Sequence, residues 1–204
     1  ANAEAVASDI RMQYPGARVA YIDETKQMDK QSMAIMKDDW DVVVLPHSWV
    51  PMLEFKQETV DAYIKKEIAS FDAQLVEQLQ AEGKMVPQDL DTLNVGKGSK
   101  LSKTAKDLAR ARLNIVSDVR RMAARTKPKF FFEDFGFDQV FVDEAHRFNK
   151  IDLRTPQEIR GLGKTGNEMT RSMQIITEYI RSNNNGRGVY LFTGTPITNT
   201  LNEI

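Results

Sequence analysis

The run Phe137-Asp138-Gln139-Val140-Phe141-Val142 is short and apolar, and it ends in Asp143, Glu144, Ala145 and His146, two adjacent carboxylates and an imidazole. Open α/β sheets bind ligands beyond the carboxyl ends of their strands, so these acids stand where chemistry is expected. Asp143 offers a hard oxygen ligand suited to Mg²⁺, and Glu144 beside it can polarise an attacking water. About fifty residues later Val189-Tyr190-Leu191-Phe192 runs into Thr193-Gly194-Thr195-Pro196. Here two hydroxyls sit at a strand end, a glycine admits close backbone approach, and a proline ends the ladder. Each motif alone is weak: an acid pair is common at a helix N-terminus, and a Thr-Gly-Thr-Pro turn can be an ordinary loop. Their conjunction carries the inference.

The elements that must position these groups can be read from periodicity. Residues 4–12 read as a helix, followed by a Tyr14-Pro15-Gly16 turn and a strand over 17–22. A polar helix over 26–37 and a β-branched strand over 40–45, stopped by Pro46, repeat the pattern. Helix and strand alternate, and the strands are nearly continuous in apolar residues, so a mainly parallel sheet covered by helices on both faces is predicted. A helix over 167–181 and an Asn183–Gly188 turn precede the last strand.

A long helical insert interrupts the alternation. Val60, Ile64, Ile68, Phe71, Leu75 and Leu79 form one apolar stripe that ends near Gly83. After a loop over 83–99, Leu108, Ile115, Val119 and Met122 form a second stripe that closes before Pro128. A two-helix hairpin or arm follows, dividing the chain into 1–50, an arm over 51–129, and 130–204. On the second helix Lys103, Lys106, Arg110, Arg121 and Arg125 fall opposite the apolar stripe. Residues 97–129 hold eleven basic and two acidic residues, a local excess of nine that leaves −10 elsewhere for the net charge of −1. Such a face can contact phosphates or merely be solvated, and the α-helical stripe over 60–79 could equally dock a protein partner.

Asp143-Glu144-Ala145-His146 and Thr193-Gly194-Thr195-Pro196, in this order and context, resemble motifs II and III of superfamily-two helicases of the DEAH type and of chromatin-remodeller-like ATPases. That resemblance implies an α/β fold of RecA-like, P-loop NTPase type, here incomplete, with the helical hairpin inserted. It further implies ATP and Mg²⁺ as cofactors in an intact parent protein. Asp143 would stand on the metal side, Glu144 would face the attacking water, and His146 would bridge to Thr193 or Thr195. Residues Thr193 to Pro196 would couple nucleotide state to nucleic acid, with DNA as the expected partner. His47 and Ser48 follow the second strand where such helicases touch the nucleic-acid backbone, although the match is loose and Ser48 as a helix N-cap, with Pro51 near the first turn, is the better reading and needs no ligand. Residues 142–150 and 193–204 also look like the helicase part of large phage- and plasmid-type fusions of DNA methyltransferase and helicase, in a restriction-modification setting. Asn149-Lys150 inverts the usual Lys-Asn order of remodeller-like members, and no methyltransferase motif is present.

Gly163-Lys164-Thr165 imitates a phosphate loop, but Glu158 stands where the leading glycine belongs and no strand enters the segment. A loop is the better reading. With no other phosphate loop in the sequence, the chain is expected to need the remainder of a parent chain, including that loop and a second motor domain, and to be inactive alone. The alternative is a non-catalytic binding module that uses the basic arm. Cysteine is absent, which excludes disulfides and thiolate metal sites. Apolar runs are far shorter than the roughly 20 residues a bilayer requires, so no membrane partner and a cytoplasmic location are expected.

Overall fold

The computed structural model describes residues 3–23, 27–96, 98–123, 129–148 and 168–195. Within them the chain is mixed α/β and mostly helical. Helix α1 (Ala3–Gln13) leads to β1 (Val19–Tyr21), and α2 (Met28–Met36) leads to β2 (Val42–Val44). The long helices α3 (Gln57–Ala81) and α4 (Lys103–Ala123) form a hairpin, followed by β3 (Val140–Val142), α5 (Glu168–Asn183) and β4 (Val189–Leu191). All four strands are parallel to their partners, as the crossover helices require, with Val19 opposite Val42 and Val140 opposite Val189.

The expected single sheet is not what the described residues contain: they form two separate two-stranded sheets, β1-β2 and β3-β4. With three residues each, the strands carry short ladders, and side-chain packing joins the halves instead. Helix α5 buries Met173, Ile175, Ile176 and Ile180 and lies against a 3-10 helix, His47–Met52, that follows β2. Among the described residues, helical cover is confined to one face of β3-β4. Val142 is buried, but Phe141 is 64% exposed and Phe192 54%, with Tyr190 and Leu191 also exposed. Phe141 and Tyr190 stack on each other at 4.6 Å between ring centroids. Strand β4 pairs with β3 on one edge, and no other described strand pairs with it.

Phe132 holds the segment before β3 in place. It lies 5.8 Å from Phe55, 5.8 Å from Phe137 and 5.7 Å from Tyr179 between ring centroids, the first two tilted and the last edge-on, as aromatic quadrupoles allow. The backbone is fixed as well: the Phe132 amide donates to the Glu54 carbonyl at 2.8 Å, and the Lys56 amide donates to the Glu133 carboxylate at 3.1 Å. Lys56 and Asp134 form an ion pair at 2.7 Å that holds the Asp134 carboxyl below its usual range. The start of α3 is therefore tied to the approach to β3.

The hairpin's apolar stripe is consumed inside the molecule. Val60, Ile64 and Ile68 join a core with Ile115, Val119 and Ile176, while Leu75 and Leu79 pack on Ala105, Leu108 and Ala109 nearer the tip. Val60, Ile64, Ile68, Leu75 and Leu79 are buried against their own chain, which removes this stripe as a docking surface for another protein. Helix α3 stops as glycine chemistry dictates: Gly83 takes φ 65°, Gly83 donates to Gln80, and Lys84 donates to the Leu79 carbonyl, closing a Schellman motif. Ser102 then caps α4, its hydroxyl accepting from the Ala105 amide at 3.1 Å.

Glu82 joins the two ends of this hairpin. Its carboxylate meets Lys84, accepts from the Ser102 amide at 3.3 Å and accepts from Gln78 at 2.9 Å. The Lys84 ammonium, with help from Ser102 and Gln78, pulls its pKa down to about 2 from 4.5. A carboxyl whose pKa is lower folded than unfolded stabilises the fold above the unfolded value, and that contribution disappears as pH falls through the window from 4.5 to about 2. Glu82→Gln is therefore expected to lower the melting temperature at pH 7 and to converge on the wild type as pH falls through that window, in thermal unfolding followed by circular dichroism. A second test concerns Gly188, which has φ 92° and where an added Cβ would lie 2.9 Å from the Asp138 carbonyl oxygen and 3.0 Å from Ile180. Gly188→Ala is expected to cost about 2 kcal/mol in chemical denaturation, because the left-handed backbone and the close approach both penalise a side chain.

Candidate functional site

The β3-β4 ladder continues past the last strand residues and builds the site. The Phe192 amide donates to the Val142 carbonyl at 2.8 Å, and the Ala145 amide donates back to the Phe192 carbonyl at 2.9 Å. Asp143 and Glu144 make the turn that leaves β3, and Thr193 leaves β4 at the same level. Asp143 and Glu144 are exposed, and the Asp143 carboxylate accepts from the Glu144 amide at 3.0 Å. Glu144 adopts φ 50°, a left-handed conformation uncommon for a residue with a side chain, and the 3-10 helix Ala145–Phe148 begins directly after it. Strain of this kind costs on the order of 1–3 kcal/mol and concentrates at functional turns.

The imidazole of His146 is where the two motifs meet. Its Nδ1 lies 3.0 Å from Thr193 Oγ1, 3.2 Å from Thr195 Oγ1 and 3.1 Å from Glu144 Oε2. The Thr193 hydroxyl also accepts from the Thr195 amide at 3.1 Å, which shapes the loop that brings both hydroxyls to one nitrogen. Gly194 has open space around the position of a Cβ, so the close backbone approach predicted there is not made within the described residues. Pro196 lies outside the described residues, as do the Gly163-Lys164-Thr165 segment, Asn149-Lys150 and Arg125.

His47 lies on the same side as the acidic turn. It opens the 3-10 helix after β2, and its ring packs edge-on against Phe148 at 4.9 Å. Burial pushes its pKa down, the Arg147 charge adds to this, and the Asp143 carbonyl and carboxylate pull partly back. Ser48 is exposed but is not the N-cap: Pro46 holds that position without a side-chain bond, because the turn is a tight 3-10 helix that already starts at His47. His47 and Asp143 both follow the carboxyl ends of parallel strands, and Asp143 acts on the His47 charge.

The basic residues of α4 are divided by the structure. Arg112 is buried and pairs with Asp72 of α3 and Asp91 of the connecting loop; burial opposes its charge, and the two carboxylates more than offset this. Arg110 is exposed but pairs with Asp107 at 3.7 Å, and Arg121 pairs with Asp118 at 2.9 Å. Among the described residues no carboxylate lies within ion-pair distance of Lys103, Lys106 or Arg120. The helix thus presents a basic face, with less free charge than the residue count implies.

Among the described residues no group of three or more His, Asp or Glu side chains could enclose a metal ion. A lone exposed Asp143 carboxylate fits Mg²⁺ only in the manner usual for that ion, as one ligand beside phosphate oxygens and waters. The three oxygens around His146 Nδ1 include a carboxylate, an acceptor only, which favours the tautomer with the proton on Nδ1. Long-range nitrogen-proton correlation spectra of His146 are expected to show that tautomer, and Glu144→Gln is expected to weaken the preference.

No described helix is long and apolar enough to cross a membrane. No solved structure matches the chain. Over 99 residues the chain is 35% identical to the Defense against restriction protein B of Escherichia phage P1, an overlap that takes in 47% of this chain and 4% of that protein. Residues 1–204 match the family described as "Probable helicase domain". With its whole length inside that match, the chain belongs to the probable helicase domain family.

Proposed function

We propose that this chain is part of the first RecA-like motor domain of a nucleic-acid-dependent ATPase, a DNA helicase or translocase. The observation that carries the reading is the meeting of His146 with Thr193 and Thr195, residues from two motifs held at the ends of neighbouring parallel strands. Bound Mg²⁺-ATP would supply the electrophilic phosphoryl group, with Asp143 as metal ligand. Glu144 accepts hydrogen bonds from the attacking water and orients it, and its strained turn holds that carboxylate clear of the strand. His146 carries the position of Glu144 to the Thr193-Gly194-Thr195-Pro196 loop, which faces nucleic acid. The phosphate loop and the second motor domain come from other parts of a longer parent protein, without which the chain does not hydrolyse ATP. The overlap with only 4% of the phage P1 protein supports a large parent, and that protein's name supports a phage- or plasmid-type setting of restriction and modification.

A second reading keeps the basic face of α4 as a nucleic-acid grip independent of catalysis, favoured by the exposure of Lys103, Arg110, Arg120 and Arg121. The two readings separate in the parent protein. Glu144→Gln is expected to lower DNA-stimulated ATP hydrolysis by a factor of about 10² or more while leaving salt-sensitive DNA binding intact. Unchanged hydrolysis would remove the catalytic reading and leave the binding module.

A further inference from the structure

Helix α4 carries cations where helix stability does not call for them. Lys103 and Lys106 stand in and just after its first turn, where the positive end of the helix dipole disfavours positive charge, and that turn holds no acid. The cap is supplied by Ser102 instead. At about 100° per residue, Lys103, Arg110, Asn114, Ser117 and Arg121 fall on one side of the helix, opposite the buried Leu108, Arg112, Ile115 and Val119. All five are exposed. Asp107 and Asp118 stand on one flank of that side, paired with Arg110 and Arg121. Lys106 and Arg120 occupy the other flank, where no carboxylate lies within ion-pair distance among the described residues.

The cations form two clusters. Lys103, Lys106 and Arg110 occupy the first turns and Arg120 and Arg121 the last, and between them on the exposed side stand the neutral Asn114 and Ser117. At 1.5 Å of rise per residue, the facing members Arg110 and Arg120 are about 15 Å apart along the axis, and the outer members Lys103 and Arg121 about 27 Å. The major groove of B-form DNA is about 12 Å wide, with a row of phosphates on each rim, so a straight helix of this span laid across it sets one cluster on each strand. The geometry points to α4 as a duplex-DNA clamp, with Lys103, Lys106 and Arg110 on the phosphates of one strand and Arg120 and Arg121 on those of the other. A single strand fits this face less well. Grooves that hold single strands add aromatic side chains on which bases stack, and Lys103–Ala123 contains no aromatic residue. A flexible strand also offers no second row of phosphates at a fixed distance. The pairs with Asp107 and Asp118 do not block the contact, because exposed ion pairs are weak and a guanidinium holds phosphate strongly. This clamp rests on the second reading above and adds the form of nucleic acid and the strand that each cluster holds.

The test uses the full-length parent protein in three forms besides wild type: Lys103→Gln with Lys106→Gln, Arg120→Gln with Arg121→Gln, and Lys103→Arg with Lys106→Arg as a control that keeps the charge. None of the four residues is buried, so the melting temperature is expected to stay at its wild-type value in each. Affinity for a blunt DNA duplex and for a single strand of the same length is measured between about 50 and 200 mM salt. Each glutamine pair is expected to weaken duplex binding on the order of tenfold or more and to reduce its salt slope by about two, while single-strand binding changes by less than about threefold. The arginine control is expected to keep the wild-type slope. Unchanged duplex slopes in both glutamine pairs overturn the clamp and leave α4 a solvated face. A loss confined to one pair overturns the two-strand geometry, and so does an equal loss on the single strand. Hydrolysis sensitive to Glu144→Gln is read separately, so a failed clamp leaves the ATPase reading standing, and a failed ATPase reading leaves the clamp to the salt slopes.

Discussion

The parallel ladder between β3 and β4 is the constraint on which the candidate site depends. Only three residue pairs define it, yet the bonds from Val140 to Gly188, from Phe192 to Val142 and from Ala145 to Phe192 extend it past both strand ends. Because side chains alternate with a period of two, a slip of one residue would turn Val142 out of the core and carry Thr193 away from His146. The register is set by burial of Val142 on one face and by the turn at Gly188, whose φ and close approach to Asp138 leave no room for another residue. Helix α5 ends with its own capping turn just before this glycine, where Gly186 donates to Arg181 at 2.7 Å and Asn184 donates to the Asp138 carbonyl at 2.8 Å. Helix end, turn and strand start are thus one unit.

The energetics of the site are lopsided. On the helical side, β3 is backed by α5, the Phe132 cluster and the start of α3, a continuous apolar core in which one fully buried aliphatic side chain is worth roughly 1.5–3 kcal/mol. On the other side Phe141, Tyr190 and Phe192 face solvent, and the stacked pair of rings is the cover they have among the described residues. Contiguous exposed aromatic surface, on a sheet whose β4 edge is unpaired among the described residues, is unfavourable in isolation. A short exposed turn with a left-handed glutamate is held on this lopsided base by contacts from two directions: the ladder and the His146 cluster.

The arm shows how far charge counting can mislead. Of the eleven basic residues between 97 and 129, Arg112 is turned inward to tie both helices to the connecting loop, and Lys129 reaches Asp29 of α2 at 2.6 Å. Arg110 and Arg121 share their charge with acids three residues earlier on the same helix, contacts that contribute only a few tenths of a kcal/mol each and leave the guanidinium able to exchange partners. The face that remains exposed is basic because Lys103, Lys106 and Arg120 lack such partners among the described residues, and because the helix's apolar side is fully used against α3.

Local pattern was legible wherever one physical rule decided the outcome. Strand and helix order, the Gly83 stop, the length of both hairpin helices and the burial of Val60, Ile64, Ile68, Leu75 and Leu79 follow from periodicity and from glycine's access to positive φ. The two motifs could be picked out as a pair, because carboxylates and hydroxyls after short β-branched strands have few purely structural reasons to recur together. What periodicity could not decide was contact between distant segments. It predicted one sheet where two pairs stand, since three-residue strands do not specify their neighbours without the surfaces that pack on them. It placed Ser48 at a helix cap, whereas a 3-10 turn begins at His47, and the charge count over 97–129 could not show that Arg112 turns inward. The residue types and their order along the chain were determined by the sequence itself. That Glu144 is left-handed, that three oxygens converge on one nitrogen of His146, and that His47 packs edge-on against Phe148 was decided by tertiary structure, because each depends on where another segment lies.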